Sequence, residues 1–364
     1  MLVFNNNFKY RNPLQVVFLC GNKFDYKGTK DKRKVLKNFI ENSDSRNHVI
    51  ILEENFCFTK TNKRYLSYDE IFLKNLAQVE QLASLFADKI IIVHETLSTS
   101  AELGMFVADT SLTDKICLLV PDRIAVEENK IGGFIQLAFL SSKSGGKKVH
   151  VIYYYPDIEV HRLSENKSFY YTYFHENKIG NFLGKEISSF LQQKIENTVL
   201  FLNKQFGKLS NYSIAIDYHI SNIKKEVSVN VHVGILKDQL FSLLFIPEVR
   251  RKLREEKKIY EHVNFLEIVY KQIVRDTISE ITGKKLDNFA LKIALKLTPC
   301  SLNQAIGYFI YMLQATKLIT LEQTSKTDLS KRKIAFSVTL NRQRVYFEKI
   351  INMPSKTVFE RLVK

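Results

Sequence analysis

The sequence has no tryptophan, only four cysteines, and no run of about 18 apolar residues. The last absence excludes a membrane-spanning helix, which needs a stretch of roughly that length. The opening MLVFNNNFKYRNP also lacks the apolar core of a secretory signal, so a cytoplasmic location without membrane partners is expected. Cys20, Cys57, Cys117 and Cys300 are scattered and form no CxxC pair, so neither disulfides nor a zinc site is expected. No HExxH, no phosphate-cradling GxxxxGK[ST] and no GxGxxG occurs, and neither metal nor cofactor is expected. No internal repeat is evident.

What is present in excess is positive charge. Lys and Arg number 54 against 38 acids, a net charge of +16 over 364 residues. Such an excess fits a polyanionic partner, nucleic acid first. A chain generally rich in Lys, Asn and Ile supplies a compositional reason for the same excess. The length suggests two or three domains, and the 45% apolar content suffices for real cores.

Four short apolar runs organise the first part of the chain: 14–20 (LQVVFLC), 48–52 (HVIIL), 88–93 (DKIIIV) and 115–120 (KICLLV). Between them lie helical patterns at 31–42, 67–87 and 101–111, the second opening on a Ser67/Glu70 capping box. Strands without clean alternation, separated by helices, predict a parallel sheet flanked by helices, an α/β domain over 1–145. Ligands of such sheets bind at the carboxyl ends of the strands. Here those ends are Gly21-Asn22, Glu53-Glu54, 94–100 and Pro121-Asp122.

Beyond about residue 145 the texture changes. A strand-like run at 147–155, a helical stretch at 182–207, paired strands at 212–220 and 226–236, and an amphipathic helical stretch at 247–282 predict an α+β middle region over 146–284. The run VRRKLREEKK (249–258) mixes acids with bases and reads as a solvated helix. The pattern over 286–297 is read as helical, and 298–319 as a turn, a short helix and a longer helix. Two strands, 319–324 and 333–340, then flank a basic loop. Helix, helix and hairpin in that order predict a C-terminal winged helix over 285–364. In that reading the second helix, about 302–316, faces nucleic acid. Ser301, Asn303 and Gln304 stand at its start, Lys317 follows it, and Lys326, Lys331, Arg332 and Lys333 form the wing tip. Winged helices also serve as protein-docking modules, with Ile306, Phe309, Ile310 and Leu313 as plain core.

The sharpest local feature is ADKIIIVHETLSTSAELGMFVAD, residues 87–109. A buried strand ends in a Ser/Thr-rich loop, and a helix follows with Glu102 near its start and Gly104 just after. Breaking an N-glycosidic bond builds positive charge on the anomeric carbon, which a carboxylate can trap covalently or stabilise. Ser98, Thr99 and Ser100, with free N–H groups at the helix start, can hold phosphate or ribose oxygens. Gly104 would allow close approach of another chain segment. The same residues also suit a helix start with no chemistry, since Glu favours the helix dipole and Ser/Thr caps. His48 and His94, each at a strand edge, read as structural or solvent-exposed.

FLCGN at 18–22 and STSAELGMFVAD at 98–109 together resemble the nucleoside 2-deoxyribosyltransferase-like family, in particular the effectors of this type encoded beside retron reverse transcriptases. The resemblance covers roughly 15–122 and, more loosely, 286–340. It implies a deoxyribosyltransferase-like catalytic domain with a C-terminal winged helix, and an N-glycosidase with Glu102 as nucleophile and a nucleoside or nucleotide substrate, NAD foremost. It further implies that Gly21 and Asn22 border the nucleotide, that Ser98 and Ser100 bind ribose or phosphate, and that Glu53 or Glu54 orients base or sugar. Glu80 and Asp69 are further candidates. The implied partners are a retron reverse transcriptase and its multicopy single-stranded DNA, restraining an antiviral toxin. Self-association is also implied, because related transferases share residues between subunits. Thr99-Ser100-Ala101 replaces the family's usual Gly-Thr before the glutamate, which leaves transfer and hydrolysis both open. The alternative is a nucleotide-sensing, DNA-binding regulator without turnover.

Overall fold

A computed structural model describes residues 2–5, 14–21, 32–55, 66, 69–94, 96–108, 112–121, 149–154, 160–162, 169–171, 179–193, 202–203, 216–323, 328 and 330–352. The first elements along the chain are β1 (Val3–Phe4), β2 (Gln15–Cys20), α1 (Lys32–Ser43), β3 (Asn47–Ile50), α2 (Leu52–Asn55), α3 (Leu76–Phe86), β4 (Lys89–Val93), α4 (Leu97–Val107) and β5 (Ile116–Pro121). Then come β6 (His150–Tyr154), β7 (Val160–Arg162), β8 (Phe169–Tyr171), α5 (Asn181–Gln192), β9 (Leu202–Asn203), β10 (Ile216–Ser221), β11 (Glu226–His232), α6 (Val233–Leu243) and α7 (Pro247–Leu253). The last are β12 (Lys257–Lys258), α8 (Ile259–Thr282), β13 (Ala290–Lys296), α9 (Leu302–Ala315), β14 (Ile319–Glu322), β15 (Lys331–Phe336), α10 (Val338–Arg342), α11 (Arg344–Phe347) and β16 (Ile351–Asn352). Two compact units share these elements: residues 14–51 with 87–195, and residues 1–13 and 52–86 with 196–364.

The first unit is built on a five-stranded, all-parallel sheet in the order β3-β2-β4-β5-β6. The four expected strands form its body. The strand-like run at 147–155 supplies a fifth, β6, beside β5, so the sheet continues past residue 145. One face carries Val17, Leu19, Val49, Ile91, Val93, Cys117, Leu119 and Ile152, covered by Leu36 and Ile40 of α1 and by Leu183, Ile187 and Phe190 of α5. Burying each such aliphatic side chain is worth about 1.5–3 kcal/mol, which explains why nearly continuous apolar runs become the central strands. On the opposite face Phe106 of α4 meets Phe18 of β2 edge-on, with centroids 5.9 Å apart. The amino edge is tied by Asp88: its carboxylate accepts from Val16 N at 2.8 Å, and its own N–H donates to Val16 O at 2.8 Å. Cys20 and Cys117 are buried free thiols in strands, packing as small apolar groups. Cys300 of the second unit is likewise buried and free, and Cys57 lies outside the described residues.

The second unit holds a four-stranded mixed sheet, β13-β11-β10-β9, and a helical layer. The expected pair at 212–236 is the antiparallel hairpin β10–β11, with Ile216 opposite Val231, and residues 233–236 open α6 instead of extending the strand. The helix expected over 286–297 is a strand. Residues 290–296 pair in parallel with β11, and Lys292–Glu226 (2.6 Å) and Lys296–Asp217 (2.7 Å) bridge across the sheet. ALKIALK satisfies both a helical and an alternating period, and the open edge of β11 selects the strand. The helix expected over 67–87 begins at Leu76. Asn75 accepts from Gln78 N at 3.0 Å and Gln78 Oε1 accepts from Lys74 N at 2.9 Å, a cap nearer the apolar stripe than Ser67, which lies outside the described residues. Residues 298–319 contain one helix, α9, where two were expected, and the strand expected over 333–340 ends at Phe336, after which Ser337 caps α10 by accepting from Leu340 N at 3.1 Å. The hairpin β14–β15 forms as expected and is joined by β12 in the order β12-β15-β14.

Candidate functional site

At the carboxyl edge of the parallel sheet, β2 ends in Gly21 with φ +153°, a conformation that favours glycine. A Cβ there would lie 3.1 Å from Val93 Cβ and 3.3 Å from the Arg33 side chain, so a side chain in the turn beside β4 would be crowded as well as strained. Asn22, the expected neighbour of the nucleotide, lies outside the described residues. On the adjacent strand β4, His94 continues the ladder by donating its N–H to Leu119 O at 2.8 Å. Its Nδ1 lies 3.4 Å from Thr99 Oγ1, a structural contact.

The helix carrying Glu102 starts one turn earlier than its sequence suggests. Thr96 is its N-cap, accepting from Thr99 N at 3.4 Å, while Thr99 Oγ1 accepts from Thr96 N at 3.2 Å. Threonine at the position usually held by Glu or Gln makes this reciprocal cap hard to see in the sequence. Ser98, Thr99 and Ser100 therefore stand in the first turn, not in a loop, and Glu102 stands in the second. Ser98 Oγ is exposed and lies 2.8 Å from Thr96 Oγ1, and Ser100 Oγ donates to Thr96 O at 3.4 Å. Thr99, Leu103 and Phe106 form the buried stripe. Glu102 flanks that stripe, half-buried, one turn before Phe106. Side chains on a helix lean towards its N-terminus, so Glu102 leans towards the strand ends.

The close approach expected at Gly104 is not made by the protein: a Cβ there meets nothing within 4 Å among the described residues. Gly104→Ala should therefore keep the fold and stabilise α4 by up to about 1 kcal/mol. A thermal melt checks this, and a lowered melting temperature would contradict it. If substrate passes over this open surface, the same variant should raise KM.

Glu53, Glu54, Asp69 and Glu80 belong to the other compact unit. Glu53 is exposed and Glu54 half-buried in α2, Asp69 opens the short 3-10 turn Asp69–Ile71, and Glu80 is half-buried on α3. Burial raises the Glu80 carboxyl above its ordinary value, and the neighbouring Glu53 adds to the rise. Burial, Tyr308, Glu53 and Glu54 push the Tyr311 hydroxyl on α9 well above its ordinary range. Glu53 thus acts on both the Glu80 carboxyl and the Tyr311 hydroxyl. A raised carboxyl stabilises the fold fully below its ordinary value of 4.5, and that contribution is lost as pH rises through the folded value. Glu80→Gln should accordingly stabilise the fold at pH 7 by less than about 1 kcal/mol given partial screening, read as a raised melting temperature. The gain should vanish in melts below pH 4.5.

Four of the residues expected to read nucleic acid, Ser301, Asn303, Gln304 and Arg332, are engaged within the protein. Ser301 and Gln304 cap α9 reciprocally, with Gln304 Oε1 accepting from Ser301 N at 2.9 Å. Gln304 Nε2 donates to Phe72 O at 2.8 Å, and Asn303 Nδ2 donates to Asn264 Oδ1 at 3.1 Å and to Glu267. Arg332 is buried 3.7 Å from Glu70, and its carbonyl lies 3.0 Å from His262 Nε2. Lys317 is exposed in the left-handed region at φ 58°, and Lys331 and Lys333 are half-buried, while Lys326 lies outside the described residues. Helix α9 is buried on nearly all sides, as its sequence LNQAIGYFIYMLQA, apolar all round, would have indicated. The run 249–258, read as a solvated helix, instead places Arg250 half-buried against two phenylalanine rings. The missed signal is the spacing of Arg250 and Arg254, four residues apart and so on one helical face.

Compared with known families, the chain matches the STM3845 retron effector protein over residues 29–321, well over half its length. It belongs to the STM3845 retron effector protein family. The matched region of this effector contains Glu102 and its helix, the acidic group on α2 and α3, and helix α9. Gly21, Asn22 and Lys331–Lys333 fall outside it. No curated protein matches the chain. No helix among the described residues is long and apolar enough to cross a membrane.

Proposed function

We propose that this retron effector is an N-glycosidase acting on a nucleotide, with NAD the first candidate, and that Glu102 is its nucleophile. The supporting observation is the position of Glu102: half-buried on the second turn of the helix that follows the central strand β4, at the carboxyl edge of a parallel sheet whose neighbouring strand ends in the tight Gly21 turn. That is where open α/β sheets bind ligands, and it matches the strand–glycine turn and Glu-Leu-Gly helix of the deoxyribosyltransferase-like family. In the proposed reaction the Glu102 carboxylate attacks the anomeric carbon, and the base leaves with the electron pair of the N-glycosidic bond. Water then cleaves the glycosyl ester, returning the carboxylate and freeing the sugar. From NAD the base departs as neutral nicotinamide. Ser98 and Ser100, in the first turn, are positioned to hold sugar or phosphate oxygens beside the positive end of the helix dipole.

The regulatory half of the proposal is restraint by the retron reverse transcriptase and its multicopy single-stranded DNA, with activity released when that complex is disturbed. The hairpin β14–β15 that follows α9, with β12 from ahead of α8 added in the order β12-β15-β14, supports a winged-helix relationship for this part of the second unit. Its interior helix favours docking and structural roles over base reading by Asn303 or Gln304. Self-association would complete a shared site. A substrate panel tests the activity: purified chain incubated with NAD, ribonucleotides and deoxynucleosides, with free base separated by chromatography. Release from one class assigns the substrate. Recovery of every compound intact, with and without the retron partners, would overturn the proposal.

A further inference from the structure

Strand β13 is the outer strand of the sheet β13-β11-β10-β9, and no strand among the described residues pairs with its other side. Its backbone phase is fixed by Ala290, whose N–H donates to Lys225 O at 2.8 Å, towards β11. Backbone groups of successive residues in a strand point to alternate sides, so those of Ala290, Lys292, Ala294 and Lys296 face β11. Those of Leu291, Ile293 and Leu295 face outward, and no hydrogen bond among the described residues takes them up. The side chains are open as well: Ala290, Lys292 and Ala294 are exposed, and Leu291 and Ile293 are only half-buried.

An open edge is a template for another strand, and proteins commonly block it with lysine, proline or a bulge. Here the seven residues pair with β11 without interruption and contain no proline. Both lysines are drawn back onto their own sheet, Lys292 to Glu226 at 2.6 Å and Lys296 to Asp217 at 2.7 Å. The edge is therefore left unguarded.

The sequence ALKIALK is complementary to itself about Ile293. In an antiparallel pair with a two-fold axis there, Leu291 lies opposite the second copy's Leu295, and Ile293 lies opposite its own counterpart. These pairs match the outward-facing backbone groups, so each exchanges two hydrogen bonds. On the other face Lys292 lies opposite Ala294 and Lys296 opposite Ala290, so no lysine meets a lysine. Centring the axis on Lys292 or Ala294 keeps the hydrogen-bond phase but sets lysine against lysine, which is destabilising. Centring it on Leu291 or Leu295 shortens the overlap to 290–292 or 294–296.

We propose that β13 pairs antiparallel with β13 of a second copy of this chain, joining two sheets into one across a two-fold axis at Ile293. A two-fold pairing of one edge with itself closes at the dimer. Seven residues a side fall well short of the roughly 20–30 of a standard interface, so the dimer should be weak, with Kd on the order of micromolar. The inference rests on the self-association in the proposed function and gives it a surface. That surface lies in the unit that does not carry Glu102, so it is independent of the glycosidase chemistry.

The test is sedimentation velocity of the full chain from about 1 to 100 µM, with melting curves matched between variants. Ile293→Pro removes a donor that faces away from β11, and should weaken the dimer at least about tenfold. Ala294 is exposed, so its variants should fold normally. Ala294→Lys sets like charges opposite each other twice per dimer and should weaken it about two- to tenfold, while Ala294→Glu, opposite Lys292, should tighten it by a similar factor. Opposite shifts from the two Ala294 variants would establish the register. If the wild type dimerises and none of the three variants changes its Kd, self-association stands and this surface is wrong. If the wild type stays monomeric at the highest concentration, both fall. A monomer that pairs only with the reverse transcriptase, in a complex that Ile293→Pro disrupts, would mean that the edge takes a foreign strand and would overturn the second-copy proposal.

Discussion

Glu102→Gln should abolish the growth arrest that the proposed activity causes when the effector is expressed without its retron partners. Glutamine has nearly the same volume and can keep hydrogen bonds, so α4 and its packing through Phe106 on Phe18 should persist. It cannot form the glycosyl ester or stabilise positive charge at the anomeric carbon, which should lower turnover on the order of a thousandfold or more. Plating efficiency and cellular NAD, measured for both proteins at equal abundance, are the readouts. Glu102→Asp keeps the charge but withdraws it by one methylene, and should retain a small fraction of activity. Arrest of equal strength with Glu102→Gln would exclude the carboxylate from the chemistry.

The second large effect is structural. Gly307 lies in α9, and a Cβ there would stand 2.6 Å from the carbonyl oxygen of Ile71 and 3.0 Å from Ile71 Cβ. The obstacle is backbone, so no rotamer change relieves it. The residue after Ile71, Phe72, already holds φ 60°, and its carbonyl accepts from Gln304, which limits how far that turn can shift. In an unobstructed helix Gly→Ala stabilises by up to about 1 kcal/mol. At Gly307 overpacking should reverse the sign and cost about 1–3 kcal/mol. For a unit of 150–250 residues each kcal/mol lowers Tm by roughly 2–4 °C. Gly104→Ala, facing open space, is the matched control, and the two variants should move the melting temperature in opposite directions. A rise with Gly307→Ala would mean that α9 and the Ile71 turn are not in contact.

The parallel sheet was legible because QVVFLC, KIIIV and ICLLV are apolar almost without interruption, and only a strand buried on both faces accepts such runs. Gly21 was legible as the turn that ends the first buried run, while its close packing on Val93 and Arg33 was not, because those contacts come from elements distant in the sequence. The start of α4 was not, because its cap uses Thr99 in the place usually held by Glu or Gln. Residues 290–296 were misread as helix because ALKIALK carries two periods at once, and the deciding fact, the free edge of β11, is a tertiary one. The polar residues at the start of α9 suit a DNA-reading helix by position alone. Their use for Phe72, Asn264 and Glu267 depends on segments 36–39 and 232 residues away in sequence. The same holds for Arg250, whose stacking partner Phe336 lies on β15. Local pattern reaches the continuously apolar central strands; it does not reach an edge strand such as 290–296 or the partners that a distant segment supplies.

The most direct measurement is the time course of free base released from NAD by the purified effector and by Glu102→Gln, side by side, at equal concentration and with matched melting curves. The expected result is steady release of nicotinamide by the wild-type chain and none above background by the variant. Equal release by both would contradict a glycosidase built on Glu102.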